Sequence, residues 1–83
     1  MYKLLISPKA GRRLKTLKIE HQWAVLEALT EISEDPFVGK PLTRELTGRF
    51  SYKIGIFRII YKINESNQTV RIISAGNRST VYN

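Results

Sequence analysis

The last third of the chain alternates between apolar and polar residues over positions 50–73. A period of two is the pattern of strands that bury one face. The first break in the pattern, Gly55 and Ile56, puts glycine at the first central position of a two-residue turn, which is the type II′ signature. Ser66 and Asn67 can form a second two-residue turn. The pattern therefore predicts a β-meander of three strands.

The two turns predict which residues stand opposite each other. The first turn places Lys53 opposite Arg58, and it also places Arg49 opposite Lys62. The second turn places Lys62 opposite Arg71. A slip of one residue would move every side chain to the other face, so this register is the assumption on which the predicted site depends.

One face of the predicted meander is apolar, and we expect helices to cover it. Its predicted members are Phe50, Tyr52, Ile54, Phe57, Ile59, Tyr61, Ile63, Val70 and Ile72. The opposite face takes the basic residues. The same register predicts that Ile60 pairs with Ile73 and that Arg58 pairs with Ala75 on that second face.

The first half of the chain predicts one strand and two helices. Residues 2–6 read as a strand. Ser7 as N-cap and Pro8 at the first helical position then predict the start of a helix. A second helix is predicted over residues 20–33, with a broad apolar face made of Trp23, Val25, Leu26, Leu29 and Ile32. Asp35 and Pro36 end it, and residues 35–41 read as a loop.

The length and charge of the chain narrow the class of protein. Eighty-three residues indicate a single domain over residues 1–83. The net charge is +7 and unevenly spread, with five acids and no Lys or Arg in residues 20–35. Such asymmetry favours a nucleic acid or an acidic protein as partner. No apolar run approaches a signal peptide or a membrane span, so we expect a cytoplasmic protein without membrane contact.

Opposed like charges are unusual in a sheet, because each pair destabilises it by about 0.2–1 kcal/mol. The register predicts two such pairs, Lys53 with Arg58 and Arg49 with Lys62, and Arg71 extends the second row. We interpret this face as one that binds the phosphates of a polyanion. The alternative is a surface whose charges are neutralised by solvent or by flanking acids, of which only Glu65 lies nearby in sequence.

The available residue types limit the chemistry of the chain. The sequence has one histidine and no cysteine. His21 stands at the start of the acidic helix, where we expect an ordinary surface residue. The acids of that helix are interpreted as a solvated face rather than as ligands, so we expect neither a metal ion nor a cofactor.

Lysine, arginine and tyrosine can still cleave RNA, because the 2′-hydroxyl can attack a phosphate that is held in line and stabilised. Arg58 and Arg78 suit charge stabilisation, since guanidinium binds phosphate with two hydrogen bonds. Lys53, beside a second cation, suits proton transfer. Tyr82 offers a phenol for proton transfer or a ring for stacking. In the alternative interpretation, Arg78 binds a helix C-terminus and Tyr82, one residue from the end of the sequence, is disordered.

The chain resembles the RelE/ParE superfamily of bacterial and archaeal toxins from type II toxin–antitoxin pairs. The resemblance rests on SPKAGRRLKTL, DPFVGKPLTRELTG, FRIIYKI and ISAGNRSTVY, which together cover most of the length. It implies an α+β fold in β-α-α-β-β-β order, an antiparallel twisted sheet with a two-helix hairpin packed on one face. It also implies an endoribonuclease that cuts mRNA in the ribosomal A site without a metal.

The resemblance assigns roles to single residues. Arg58 and Arg78 match the arginines of the family that bind phosphate and stabilise charge, and Tyr82 matches its C-terminal tyrosine. Lys53 matches one of two lysines on the preceding strand of RelE proper, but Gly55 stands where the second would be. Some related toxins use a glutamate or histidine, for which Glu45 is a loose candidate.

The resemblance also implies partners and rival functions. We expect a RelB-like antitoxin that forms a hetero-oligomer with the chain, and a ribosome with its mRNA as the target. A first alternative is a ParE-like inhibitor of DNA gyrase without nuclease activity. A second is an inactive or regulatory member of the superfamily, or a simple nucleic-acid-binding module.

Overall fold

Two helices and five strands follow one another in the order β-α-α-β-β-β-β. The structure, a computed structural model, describes residues 1–77, so the predicted site residues Arg78 and Tyr82 lie outside the described residues. The elements are β1 (Lys3–Ile6), α1 (Pro8–Lys15), α2 (Ile19–Glu34), β2 (Lys40–Pro41), β3 (Phe50–Ile54), β4 (Phe57–Asn64) and β5 (Thr69–Asn77), with short 3₁₀ helices at Pro36–Val38 and Arg44–Leu46.

The strands form one sheet in the order β1-β5-β4-β3-β2. The predicted α+β fold is confirmed. Two details differ from the expectation of a purely antiparallel sheet. The first strand pairs in parallel with β5, because the two helices carry the chain across before the meander begins. The predicted loop also contributes a two-residue strand, β2, which pairs with the start of β3.

The first hairpin has the predicted register. Lys53 pairs with Arg58, and Ile54 pairs with Phe57. Gly55 has a φ of 55°, a backbone conformation that glycine adopts without strain from a Cβ atom. The local turn signal was therefore sufficient to place Lys53 and Arg58 opposite each other.

The second hairpin follows the prediction only in part. Lys62 pairs with Arg71 as expected, although the loop between the strands spans four residues rather than two. Beyond this pair, a bulge shifts the register, so that Ile60 pairs with Ser74 and Arg58 pairs with Gly76. The predicted pairs of Ile60 with Ile73 and of Arg58 with Ala75 are wrong, because Ile73 is an extra residue in β5.

The bulge is held by the beginning of α1. The Ser7 hydroxyl donates a hydrogen bond to the Ile73 carbonyl at 2.8 Å, and the Ser7 N–H donates to the Ile72 carbonyl at 3.0 Å. The same hydroxyl accepts from the Ala10 N–H at 3.1 Å, which confirms Ser7 as the N-cap. One side chain therefore starts the helix and fixes the irregularity in the sheet.

The core lies between the helices and one face of the sheet. Its buried members are Ala10, Val25, Ala28, Leu29, Ile32, Ile59, Tyr61, Val70, Ile72 and Ala75. Because of the bulge, Ile72 and Ala75 both face the helices although they are three residues apart. Neither helix in the described part of the chain is long and apolar enough to cross a membrane.

The apolar face of α2 is narrower than the sequence suggested. Val25, Leu29 and Ile32 are buried, but Trp23 is 63% exposed and Leu26 is 51% exposed. Val25, Leu29 and Ile32 are spaced by four and three residues, which puts them on one stripe along the helix. Each step of one residue turns about 100° around the helix axis, so residues at other spacings point away from this stripe. Trp23 and Leu26 consequently lie off the stripe that contacts the sheet.

Candidate nucleic-acid interface

The face of the sheet opposite the helices carries basic side chains, and we call it the basic face. It is defined by Lys53, Arg58, Lys62 and Arg71. Each of these alternates along its strand with residues that are buried in the core or packed against it. Successive side chains of a strand point to opposite faces, so the four share one face.

Lys53 and Arg58 form a pair at the end of the sheet next to the first hairpin turn. Lys53 is exposed, and β3 is an edge strand there because β2 pairs only with Phe50 and Ser51. Arg58 is half-buried, and its Nε is buried. A guanidinium in partly desolvated surroundings acts on an anion more strongly than one in bulk water.

Lys62 and Arg71 form the second pair, at the other end of the basic face. Both are exposed, and they line a groove of about 760 Å³. The rest of the lining is Leu5, Ile63, Asn64, Glu65, Ser66, Asn67 and Thr69. The groove thus combines two cations with one carboxylate, that of Glu65, and several neutral hydrogen-bonding groups.

The polar groups of this groove were missed by the sequence analysis. Asn64 and Thr69 are ladder partners at the base of the second hairpin, and both line the groove. The signal that could have found them is their spacing: Asn64 stands two residues after Lys62 and Thr69 two residues before Arg71, which puts them on the same face of the hairpin.

A row of three buried residues, one isoleucine and two serines, separates the two basic pairs. Ile60 lies between Arg58 and Lys62 on β4, and its ladder partners are Ser51 and Ser74. The three side chains are 2%, 7% and 6% exposed, respectively. Arg58 and Lys62 stand about 13 Å apart along the strand, from a rise of about 3.3 Å per residue. The basic face therefore carries its cations as two separate pairs, one at each end.

Arg49 does not join the second pair. The strand β3 begins at Phe50, so the expected pair of Arg49 with Lys62 lies outside the hydrogen-bonded ladder. The Arg49 carbonyl accepts instead from the Leu42 N–H at 2.9 Å, and its side chain is half-buried. The structure brings together four of the predicted residues as two pairs and leaves Arg49 just before the ladder.

Two tyrosines in the sheet point away from the basic face. Tyr52 donates a hydrogen bond to the Glu31 carboxylate, and this bond raises the pKa of the Tyr52 phenol. Burial raises the pKa of Tyr61 to about 12. Both phenols hold their protons firmly on the helix side, so neither supplies a proton-transfer group to the basic face.

Two further titratable residues, His21 and Glu45, were candidates for a functional role. His21 packs against Phe57, with ring centroids 4.8 Å apart, and is partly buried rather than an ordinary surface residue. Glu45 is exposed in the 3₁₀ helix before β3. Within residues 1–77, no group of three or more His, Asp or Glu residues could hold a metal ion.

Comparisons with known proteins agree on one family. The family described as ParE-like toxin of type II bacterial toxin–antitoxin system matches residues 4–83. Toxin RelG of Mycobacterium tuberculosis is 37% identical over 83 residues, which cover 98% of this chain and 95% of RelG.

Solved structures show the same fold. A chain of the toxin–antitoxin complex RelBE2 from Mycobacterium tuberculosis is 38% identical with a TM-score of 0.85, over 93% of this chain and 98% of that one. The isolated E. coli RelE toxin is 23% identical with a TM-score of 0.81, over 99% of this chain and 92% of that one.

Proposed function

The chain belongs to the RelE/ParE superfamily of type II toxin–antitoxin toxins, and we propose that it is an endoribonuclease that cuts mRNA in the ribosomal A site. The observation that carries the proposal is the pair of Lys53 and Arg58 on the face of the sheet opposite the core. A half-buried arginine opposite an exposed lysine suits a phosphate better than it suits the stability of the sheet.

The proposed reaction needs no metal. The 2′-oxygen of the ribose forms a bond to the adjacent phosphorus, and the bond from phosphorus to the 5′-oxygen of the next nucleotide breaks. The 2′-hydroxyl loses a proton, and the leaving 5′-oxygen gains one. The protein can accelerate this by holding the attacking and leaving oxygens in line and by stabilising the extra negative charge.

The basic face supplies groups for these tasks. Arg58 stabilises the charge that develops on the phosphate, because its guanidinium is always protonated and its Nε lies buried. Lys53 donates a proton to the leaving oxygen. Arg78 and Tyr82 complete the set as the resemblance implies, Arg78 on the phosphate and Tyr82 in proton transfer or stacking.

The second pair binds the RNA backbone outside the scissile position. Lys62 and Arg71 stand at the far end of the same face, and Arg49 lies just before the ladder on the strand beside them. Contacts to phosphate fix the position of a nucleic acid without reading its sequence. In this role the pair holds the mRNA while the first pair acts on one phosphate.

The proposed partner in the resting state is a RelB-like antitoxin. The similar chain from Mycobacterium tuberculosis was solved as part of a toxin–antitoxin complex. An acidic segment of an antitoxin would be attracted to the basic face and would exclude RNA from it. The ribosome and its mRNA, as proposed targets, place the active toxin in the cytoplasm.

One observation favours a second candidate function, a ParE-like inhibitor of DNA gyrase. Gly55 stands where the second lysine of RelE proper is expected, and its φ of 55° makes it the turn residue of the hairpin. A chain with one lysine at this position has a smaller set of proton-transfer groups. A protein that poisons gyrase by binding needs no such set.

A purified translation system separates the two functions. The toxin is added to ribosomes that translate a defined mRNA, and breaks are mapped by primer extension. We expect breaks at A-site codons, and Arg58→Ala to reduce their rate about 10²- to 10³-fold, as the loss of one charge-stabilising donor does in other enzymes. Arg44→Ala, an exposed arginine outside the basic face, is the matched control.

Two results would overturn this proposal. Intact mRNA together with gyrase-dependent DNA breaks would establish the second function instead. Cleavage that Arg58→Ala and Arg44→Ala reduce equally would show that the basic face is not the active site.

A further inference from the structure

Arg58 has a ladder partner without a side chain. Gly76 stands opposite it on β5, and a Cβ atom on Gly76 would point to the same face as the Arg58 side chain. The stem of an arginine from α1 lies in van der Waals contact with that position. The Cγ, Cδ and Nε atoms of Arg13 lie 3.4, 3.6 and 3.7 Å from where the Cβ of Gly76 would be.

The path of Arg13 follows from the edge of the sheet. The first strand pairs with β5 only as far as Ile72, so the end of β5 has no strand on that side. Helix α1 begins there, tied to the strand by Ser7. Arg13 is exposed, and its stem lies beside the Gly76 Cβ position, on the side of β5 that faces away from the core.

Arg13 and Arg58 are consequently close. Directly opposed residues in a sheet have Cβ atoms about 4.5–5.5 Å apart. The Nε of Arg13 lies 3.7 Å from the Cβ position of Gly76. The sum of the two distances places this Nε at most about 9 Å from the Cβ of Arg58. Lys53 stands on the other side of Arg58, so three cations from three elements lie at one end of the basic face.

We propose that Arg13 is a further RNA-binding residue, which holds the backbone phosphate next to the one bound by Arg58. The proposal rests on the proposed function, since it assigns a positioning role at the same site. Two neighbouring guanidinium groups repel each other when the site is empty and are stabilised when backbone phosphates bind to them. The stem of Arg13 packs against Gly76, and a side chain larger than a methyl group at position 76 would displace it.

A structural role for Arg13 is separable from this one. Its stem covers the edge of β5, and its charge lies in the last turn of α1, where a cation stabilises the helix dipole. Arg13→Met keeps a stem of similar length and removes the charge. Arg12→Met removes the same charge one position along the same helix, about 100° round its axis. The two variants therefore differ only in the direction in which the lost charge pointed.

The experiment measures the affinity of the full chain for a fluorescent single-stranded RNA oligonucleotide at several salt concentrations. We expect Arg13→Met to bind about tenfold more weakly, the lower end for a charge-assisted hydrogen bond. Its plot of log affinity against log salt should be shallower by about 0.7, the slope for one phosphate contact on a single strand. Arg13→Lys should keep the slope, and Arg12→Met should match the parent chain.

A second variant tests the position of the Arg13 side chain without substituting Arg13 itself. Gly76→Leu places a side chain where the stem of Arg13 now lies, and we expect it to lower the slope as Arg13→Met does. The Tm of Arg13→Met should stay within about 2–4 °C of that of the parent, as for an ordinary surface substitution. Equal slopes for Arg13→Met, Arg12→Met and the parent chain would overturn the inference.

Measurement of Arg58→Ala in the same assays distinguishes failure of the inference from failure of the proposed function. If Arg58→Ala loses mRNA cleavage while Arg13→Met binds RNA as the parent does, only the role of Arg13 is wrong. If Arg58→Ala changes neither cleavage nor RNA affinity, the site itself is wrong.

Discussion

Lys53 and Arg58 stand directly opposite each other in the first hairpin, although both side chains are positively charged. Opposed like charges destabilise a sheet by about 0.2–1 kcal/mol. We expect Lys53→Thr to raise the free energy of unfolding by that amount, measured by urea denaturation, and to weaken RNA binding. Lys3→Thr is the control, because Lys3 pairs with the uncharged Thr69. A Lys53→Thr variant less stable than the parent would show that the pair is not repulsive in the folded chain.

Lys62 and Arg71 should each contribute one phosphate contact. Releasing a counterion from single-stranded nucleic acid gives a slope of about −0.7 per contact in a plot of log affinity against log salt. We expect Lys62→Ala and Arg71→Ala to make the plot shallower by about 0.7 each, and the double variant by about twice that. The measurement is fluorescence anisotropy with labelled RNA. Lys40→Ala, on the exposed edge strand β2, should leave the slope unchanged.

Position 55 has room for a side chain, but its backbone conformation is unfavourable for any residue other than glycine. Its φ is 55°, and no atom lies within 4 Å of where its Cβ would be. We expect Gly55→Ala to lower the free energy of unfolding by about 1–2 kcal/mol, the cost of a left-handed backbone for an L-residue. A lysine at this position would carry the same cost, which is a physical reason for the missing second lysine.

A glycine in a helix provides the opposite control. Gly11 lies in α1, and the nearest atom to its Cβ position is Ile6 Cγ2 at 3.9 Å. Gly11→Ala should raise the free energy of unfolding by roughly 0.5–1 kcal/mol. If both substitutions changed the stability in the same direction, backbone conformation would not be the cause.

Tyr61 should make the stability of the chain depend on pH in alkaline solution. Burial raises the pKa of its phenol to about 12, whereas that of an unfolded tyrosine is about 10. Because the folded pKa is the higher one, the stabilisation is fully present below pH 10 and is lost as the pH rises toward 12. We expect the free energy of unfolding to fall by roughly 1–2 kcal/mol over that interval.

Tyr61→Phe isolates this contribution. The phenol donates to the Pro36 carbonyl at 2.7 Å and accepts from the Gly39 N–H at 3.0 Å. The substitution should cost about 1–3 kcal/mol at neutral pH, because it leaves these groups without the hydroxyl. The difference in stability between parent and variant should then shrink between pH 10 and 12. A constant difference across that range would contradict the assignment to Tyr61.

Trp23 should matter little for folding despite its size. It is 63% exposed, whereas Leu29 on the same helix is 4% exposed. We expect Trp23→Gln to change the free energy of unfolding by less than about 0.5 kcal/mol, as surface substitutions do. Leu29→Ala should cost about 2–5 kcal/mol through the cavity it leaves. Thermal unfolding of the two variants, followed by circular dichroism, provides the measurement.

The sequence predicted those features that depend on neighbours in the chain. Gly55 in a two-residue turn fixed the register of the first hairpin, so the pairing of Lys53 with Arg58 was correct. The cap at Ser7 was also local and correct. The second hairpin kept its register from the turn to Lys62 and Arg71, which are separated by only eight residues along the chain.

Beyond that pair, contacts between distant segments decided the structure. The Ser7 hydroxyl bonds to the Ile73 carbonyl, 66 positions away in the chain, and the bulge there moves Gly76 rather than Ala75 opposite Arg58. The same packing brings Arg13 to the edge of β5. The alternation of residues along one strand contains no information about such contacts, because they involve other segments of the chain.

The sequence by itself therefore determined the α+β fold, the existence of a basic face and its pair next to the turn. Only the tertiary structure decided which helical residues are exposed, which residue opposes Arg58 and which arginine of α1 lies near Arg58. The physical reason is the range of the interactions involved. Turn geometry and side-chain alternation act over a few residues, whereas the bulge and the approach of α1 require segments far apart in sequence to pack together.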